Sequence, residues 1–446
     1  MSLVKKIIEN RHFLALATHG FAALFGLVTF MTIARVYDKA DFGQWVLYLT
    51  GYSFVEMFKE GVISSALVKF LSGTDLPNKK RIVGSSWTLS LIITFSLATL
   101  VYLIFLMFPV PIETFGLTLF FKWYPFLSIA ILPLNYAAWI FQAEQKFDKI
   151  LGIRLWSSGF FLSLVLSNLY FRLSVESIVI MHIASNCLIS FVVMIKGWSG
   201  LSFLSKSNKN DINKLFGFGK YSLGTLIGTN LLKNADTFLI SIFLGPVFVA
   251  LYSVPLRLTE LIEMPLRSLV STALPKLAAA SNQNRKKNVE QIFRQYAGIL
   301  TVLFIPFMVM AFLFAEELVL LAGGEKYLES ANIFRIFCIY GLFLSIDRFT
   351  GVTLDAINRP KYNLIKVIWM AGANIMGDIL VIMLFEELWL VALVTILNVL
   401  VGVVMGFRFL KREISVDFFD ILRTGWQECY GTYKTYFGTL FTKSKI

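Results

Sequence analysis

Apolar residues gather into twelve runs separated by short polar breaks. Cutting at charges, prolines and glycines places them near 13–35, 43–69, 82–108, 118–142, 148–171, 176–196, 215–243, 248–276, 295–320, 331–355, 362–385 and 388–408. A helix needs about 20 predominantly apolar residues to cross the hydrocarbon core of a bilayer. The pattern therefore predicts an all-α polytopic membrane protein with about 12 transmembrane helices. One polar stretch, Ser199 to Lys214, is rich in Ser, Asn and Lys and divides the runs six and six. The expected organisation is an N-lobe (1–198), a cytoplasmic inter-lobe loop (199–214), a C-lobe (215–410) and a tail (411–446). The tail scatters Phe418, Phe419, Trp426, Tyr430, Tyr433 and Phe437 among polar residues. That spacing favours an amphipathic helix lying in the inner interface over a thirteenth span.

Composition agrees: 57% of residues are hydrophobic, 15% are charged, and the mean hydropathy is +0.71. The net charge of +13 is first a matter of topology. With the N-terminus placed in the cytoplasm, 30 of the 41 Lys and Arg residues, Lys5, Lys6 and Lys366 among them, fall in inner segments. Five fall outside (Arg35, Lys39, Lys122, Arg172, Lys326) and six lie within spans. This alternation predicts both termini in the cytoplasm and accounts for most of the basic excess without nucleic acid. The first apolar run continues to Ile33, too long for a signal-peptide core, so no cleaved leader is expected. Cys187, Cys338 and Cys429 are scattered, and His12, His19 and His182 form no motif, so neither a disulfide framework nor a metal site is expected. No P-loop, dinucleotide fingerprint or nucleophile elbow is present, which removes ATP hydrolysis and the common catalytic classes.

The chemistry lies in charges inside the spans. Glu56, Lys59 and Glu60 stand at i, i+3 and i+4, on one helical face. The eighth run carries Arg257, Glu260, Glu263 and Arg267 within an arc of about 120° at ~100° per residue. It also holds Pro255 and Pro265, expected to kink it. Gly217, Gly219, Gly224 and Gly228 open the seventh run and permit close helix approach, and Lys233 and Asp236 follow them. Arg335 and the adjacent Asp347 and Arg348 lie in the tenth run, and Asp378 in the eleventh. A central charge costs about 2.5–3.5 kcal/mol on insertion scales, so these groups must pair, line water, or both.

The two halves echo each other. At an offset of 207, Glu56-Met57 aligns with Glu263-Met264, and Ser64 to Lys69 with Ser271 to Lys276. Gln142 to Lys146 aligns with Asp355 to Arg359 at an offset of 213. Six spans between copies preserve orientation, so the repeat is parallel, with substrate expected near the midplane between the halves.

On these residues the chain resembles the oligosaccharide flippases of the O-antigen type, within the MATE-like MOP transporter superfamily. The local matches are Ala34-Arg35 with Asp41-Phe42-Gly43, Gly61 to Lys69, Asp236 with Leu244-Gly245-Pro246, and Tyr252-Ser253. One departure is Tyr37-Asp38-Lys39, where that family usually has Gly-Pro. The resemblance implies export of a polyprenyl-pyrophosphate-linked oligosaccharide to the outer leaflet of the bacterial inner membrane. It further implies alternating access through a cavity that is often cationic, with membrane lipids and polysaccharide polymerase machinery as partners.

Such cargo carries an anionic pyrophosphate, which suits Arg and Lys through charge-assisted hydrogen bonds. Lys59, Lys233, Arg257 and Arg267 are the candidate headgroup contacts. Each also has an acid three or four residues away, so an internal pair competes with cargo binding at every one. Glu56, Glu60, Asp236, Glu260 and Glu263 are candidates for coupling to H⁺ or Na⁺, since an intramembrane carboxylate can titrate or bind a cation. No other cofactor is expected. The alternative is a MATE-type ion-coupled exporter of small organic cations, which calls for an acidic cavity. A membrane enzyme would need a larger outer loop than the dozen or so residues available here.

Overall fold

The computed structural model describes residues 11–71 and 74–442. Lys5 and Lys6, the side chains of His12, His19, Tyr433 and Phe437, and Gly224 and Gly228 lie outside what it describes. The described residues are helical and contain no strand. In chain order they form α1 (Arg11–Val36), α2 (Lys39–Lys59), a π-helical turn (Glu60–Ser64), α3 (Ser65–Leu71), α4 (Leu76–Met107), α5 (Pro109–Thr114), α6 (Thr118–Ala130), α7 (Leu132–Ala143), α8 (Phe147–Phe171) and α9 (Val175–Ile195). A 3₁₀ turn (Leu201–Lys206) leads to α10 (Lys209–Phe243), α11 (Pro246–Asn282), α12 (Lys286–Leu313) and α13 (Ala315–Gly323). A second 3₁₀ turn (Glu325–Ser330) precedes α14 (Ala331–Ala356), α15 (Pro360–Phe385), α16 (Leu388–Leu410) and α17 (Phe418–Thr442).

Among the described residues, seven helices are long and apolar enough to cross a membrane: α4, α8, α9, α12, α14 with its 3₁₀ lead, α15 and α16. α6 and α7 make an eighth if taken as one span bent by 49°. This is a multi-pass helical membrane protein. The other long helices are α1, with a shorter apolar stretch Gly20–Val36, and the three that carry most of the intramembrane charges, α2, α10 and α11.

Sequence explains most breaks. α4 stops at Phe108 because the residue before Pro109 is pushed out of the helical region. α6 gives way to α7 at Ile131, where Pro133 lacks the N–H to continue the ladder. The run expected to extend to 320 ends at Leu313 instead. There α13 starts afresh with Glu316 and Glu317 in its first turn, where the helix dipole favours anions. α11 runs as one helix through Pro255, Pro265 and Pro275.

The chain forms two compact units that divide between Ala250 and Leu251. In the first, Trp87 of α4 stacks on Tyr136 of α7 at 4.0 Å. Leu67, Leu132, Ile140 and Leu215 fill in around them. Trp87 Nε1 donates to the Ser199 carbonyl at 2.9 Å, which ties the connecting segment to this core. α10 crosses the π turn at close range. A Cβ on Gly219 would strike the Val62 backbone, and one on Gly61 would lie 2.8 Å from Leu223 Cα. In the second unit α14, α15 and α16 pack together, and α12 packs on α14 and α17. The tail helix docks glycine to glycine: a Cβ on Gly425 would lie 2.7 Å from Gly298 Cα of α12. Phe419, Trp426 and Tyr430 remain exposed on α17.

Candidate functional site: charges at membrane depth

The family-motif residues form one corner of the first unit. Asp38 caps α2 by accepting from the Asp41 N–H at 2.8 Å, and Asp41 sits in the first turn, where the helix dipole favours its charge. Ala34 and Phe42 are fully buried, while Arg35 is exposed. Gly43 is glycine for a steric reason: a Cβ there would strike the Pro246 carbonyl. The Leu244-Gly245-Pro246 turn, with Gly245 at φ +91°, thus seats its Pro246 against Gly43. Ser241 Oγ secures it by donating to the Phe115 carbonyl at 2.5 Å. Tyr37, at the departure from the family pattern, donates its hydroxyl to the Leu173 carbonyl at 2.8 Å and accepts from Asn168 Nδ2 at 2.5 Å. It therefore pins the α1–α2 turn to the α8–α9 turn.

Lys59 is enclosed, with 1% of its surface exposed. Its ammonium lies 2.8 Å from Glu56 Oε1 and donates to the Ser128 carbonyl at 3.2 Å. Ser128 stands in the last turn of α6, where the bend leaves carbonyls without intrahelical partners and favours a cation. Tyr124 donates to the same Glu56 oxygen at 3.3 Å. Glu60, one residue on, is exposed. On α10 Lys233 is exposed and Asp236 buried.

In the second unit α11 presents a mixed stripe. Arg257 pairs with Glu260 at 2.6 Å and Arg267 with Glu263 at 3.0 Å. These pairs are open: the Arg267 side chain is 67% exposed. Arg335 lies at the start of α14, tied to Glu316 at 2.8 Å and Asn332 at 2.7 Å.

Two buried polar networks were not legible in the sequence. Asp347 pairs with Lys366 of α15 at 2.8 Å, and Lys366 also reaches the Asp347 carbonyl and Thr350 Oγ1. Lys366 is thus buried against Asp347 rather than free on the inner side, and Asp347 does not pair with its neighbour Arg348. Neighbours on a helix do not face each other, so Asp347 takes a partner from the next helix. Gly351, Gly402 and Gly406 leave room for this network: a Cβ on Gly351 would lie 3.3 Å from Lys366 Nζ. The second network joins Asn398 to Asn374 at 2.7 Å and Asn374 to Asp378 at 3.0 Å, with Asp378 fully buried. His182 is a packing residue, with Nδ1 3.0 Å from Tyr48 Oη and its ring against Trp45 and Phe161.

Comparison with known proteins bears on the family and the fold. A probable low-salt glycan biosynthesis flippase, Agl15, of Haloferax volcanii is 24% identical over 243 residues, 54% of this chain and 51% of that one. The chain thus spans about half the length of this curated relative. A multidrug resistance MATE family transporter of the MOP superfamily, solved in an inward-facing conformation, shares the fold with a TM-score of 0.73 at 14% identity, over 88% of this chain and 96% of that one. The lipid II flippase MurJ, in an inward closed conformation, gives 0.70 at 15% identity over 94% and 92%. The sequence profile of one family, described as polysaccharide biosynthesis protein, matches residues 32–332, which is more than half of the chain. The match covers more than half of the chain, and the chain belongs to the polysaccharide biosynthesis protein family.

Proposed function

We propose that this chain is a flippase rather than an enzyme. Its cargo is a polyprenyl-pyrophosphate-linked oligosaccharide of the O-antigen type, moved from the cytoplasmic to the outer leaflet of the bacterial inner membrane. Two six-helix lobes (1–198 and 215–410), joined by the cytoplasmic loop 199–214, alternate access to the cargo, with both termini inside. Polysaccharide polymerase machinery receives the cargo once it is flipped.

The observation that carries this reading is the open charged stripe of α11 in a member of a polysaccharide biosynthesis family. Charge exposed at membrane depth is tolerated where it meets water or a polar ligand, not lipid tails. Arg257 and Arg267 have the fork geometry that phosphate oxygens accept. Exporters of organic cations call for excess acid, whereas the α11 stripe is balanced, Arg257 and Arg267 with Glu260 and Glu263. Lys233 is the cation we assign to the same role in the first unit. Lys59 is enclosed and acts as a strut. For coupling to H⁺ or Na⁺ we retain Glu60, Asp236, Glu260 and Glu263. Glu56, already bonded to Lys59, ranks behind them.

The test is to replace Lys233, Arg257 and Arg267 singly by Gln and measure surface polysaccharide at matched protein levels. Loss of export in the two arginine variants is expected. Normal export from all three would refute the cationic site.

A further inference from the structure

We propose that the corner formed by the start of α8 and the end of α9 binds the headgroup of an anionic phospholipid, held by Lys149, Lys196 and Trp198. In the topology proposed above, this corner meets the cytoplasmic leaflet. It uses none of the charges assigned to cargo or to coupling.

The local sequence builds the corner. Gly197, at φ +64°, ends α9 in a left-handed turn. Its N–H donates to the Met194 carbonyl at 2.9 Å, and the Trp198 N–H donates to the Val193 carbonyl at 3.0 Å. This pairing is a Schellman cap, in which the residue after the glycine packs back on the helix. Trp198 is thereby laid on the apolar cluster of Phe141, Ile150, Ile153 and Val193. α7 ends in a similar turn, with Gln145 at φ +57° and the Lys146 N–H donating to the Phe141 carbonyl at 2.8 Å. α8 follows at once and carries Lys149 in its first turn. Two ammonium groups converge on one indole as a result. Lys149 Nζ lies 5.4 Å from the centre of the Trp198 ring and 5.0 Å from that of Phe141. Lys196 Nζ lies 4.6 Å from the same indole. Cation–π attraction holds both lysines over a ring that the core fixes.

Neither lysine is neutralised. Among the described residues, neither forms an ion pair. Glu144 of the α7–α8 turn is taken by Lys79 and, at 2.6 Å, by Lys146. Asp148 precedes Lys149 and leaves α8 about 100° away, on a different face. Trp198 Nε1–H also has no protein acceptor among the described residues. A phosphodiester supplies the missing charge and the acceptor oxygens.

The surroundings suit a lipid rather than a soluble anion. Trp198 follows the last turn of a span, the level at which tryptophan meets headgroups. Trp156, two turns along α8 on the face of Lys149, is 73% exposed, and Ile195 at the end of α9 is 70% exposed. A phosphate at the lysines places acyl chains along this apolar wall. The second unit builds its matching corner differently. At the offset of 213, Lys149 corresponds to Tyr362, which stacks on Phe409 at 4.8 Å.

The experiment titrates dioleoyl phosphatidylglycerol, and separately dioleoyl phosphatidylcholine, into the purified full chain by native mass spectrometry. The wild type is expected to prefer phosphatidylglycerol. Lys149→Gln and Lys196→Gln should each weaken its binding about fivefold, and the double variant about 25-fold, as two basic residues at a headgroup would. Phosphatidylcholine binding should change little. Trp198→Phe keeps a ring under the lysines but loses the indole donor, and should fall between wild type and the double variant. If the double variant does not fold, Lys196→Gln, at an exposed position, decides alone. Equal affinity for the two lipids in the wild type overturns the proposal, and so does unchanged phosphatidylglycerol binding in the deciding variant. Undecaprenyl pyrophosphate is titrated in parallel. Unchanged binding of that lipid in the lysine variants supports a phospholipid site. A loss as large as that for phosphatidylglycerol makes the corner a cargo contact, which overturns this proposal and leaves the flippase reading standing.

Discussion

Replacing Lys59 by Leu separates a strut from a ligand contact. The ammonium is 2.8 Å from Glu56 Oε1 and nearly sealed from water. At an effective dielectric of about 20, attraction at that distance is about 6 kcal/mol. Burying both ions costs several kcal/mol each, so the intact pair contributes little net stability. Removing one partner is a different matter. In Lys59→Leu, Glu56 keeps only the Tyr124 hydroxyl at 3.3 Å among its observed partners. An uncompensated buried charge of this kind costs about 3–5 kcal/mol. The double variant Glu56→Gln with Lys59→Leu removes both charges and should recover most of that loss. Unfolding of the purified chain in detergent gives the four corners of the cycle, with an expected coupling energy of about 3 kcal/mol. Export measured in cells completes the test: a strut predicts that the double variant folds and exports. Wild-type stability in Lys59→Leu alone, or a double variant that folds and exports nothing, would refute the reasoning.

Three further substitutions probe the scaffold. Gly43→Ala drives a methyl group into the Pro246 carbonyl and should cost about 1–3 kcal/mol, read as a lower unfolding midpoint and lower protein level. Gly425→Val should lift α17 from Gly298, so limited proteolysis cuts residues 411–417 faster while the rest of the second unit keeps its protection. Tyr37→Phe leaves the Leu173 carbonyl and Asn168 Nδ2 without their shared hydroxyl and should cost about 1–3 kcal/mol in thermal unfolding.

The apolar runs were legible because each helix must bury or present to lipid one long greasy segment, and that requirement acts locally. The same holds for Glu56 with Lys59, Arg257 with Glu260 and Arg267 with Glu263, which formed at the spacings that place them on one face. Partners chosen across helices were not legible. Asp347 and Lys366 are nineteen residues apart, and nothing in their spacing says that α14 and α15 cross there. The glycines that permit such crossings, Gly298 with Gly425 and Gly402 beside Asp347, look like any others until the opposing backbone is in view. The π turn at Glu60–Ser64 was equally hidden, although it falls between the enclosed Lys59 and the close crossing at Gly61.

The internal repeat sharpens which charges face outward. At the offset of 207, Lys59 corresponds to Leu266 and Glu60 to Arg267. Lys59 and Leu266 are both buried, and Glu60 and Arg267 are both exposed, so the burial register is kept while the residue types differ. That is why Leu fits at position 59 once Glu56 is neutralised, and why the exposed position is where the two halves are free to differ in charge. An anionic headgroup gains from Arg267 and gains nothing from Glu60, a like charge. Binding of a pyrophosphate should therefore be asymmetric between the halves. Glu60→Gln removes a negative charge without touching the second unit, so affinity for undecaprenyl pyrophosphate should stay the same or rise, while Arg267→Gln lowers it about tenfold, the equivalent of about 1.4 kcal/mol. Titration of both variants by native mass spectrometry checks this. A Glu60→Gln variant that is folded yet binds as poorly as Arg267→Gln would show that the exposed position serves both halves alike, and the asymmetry would have to be abandoned.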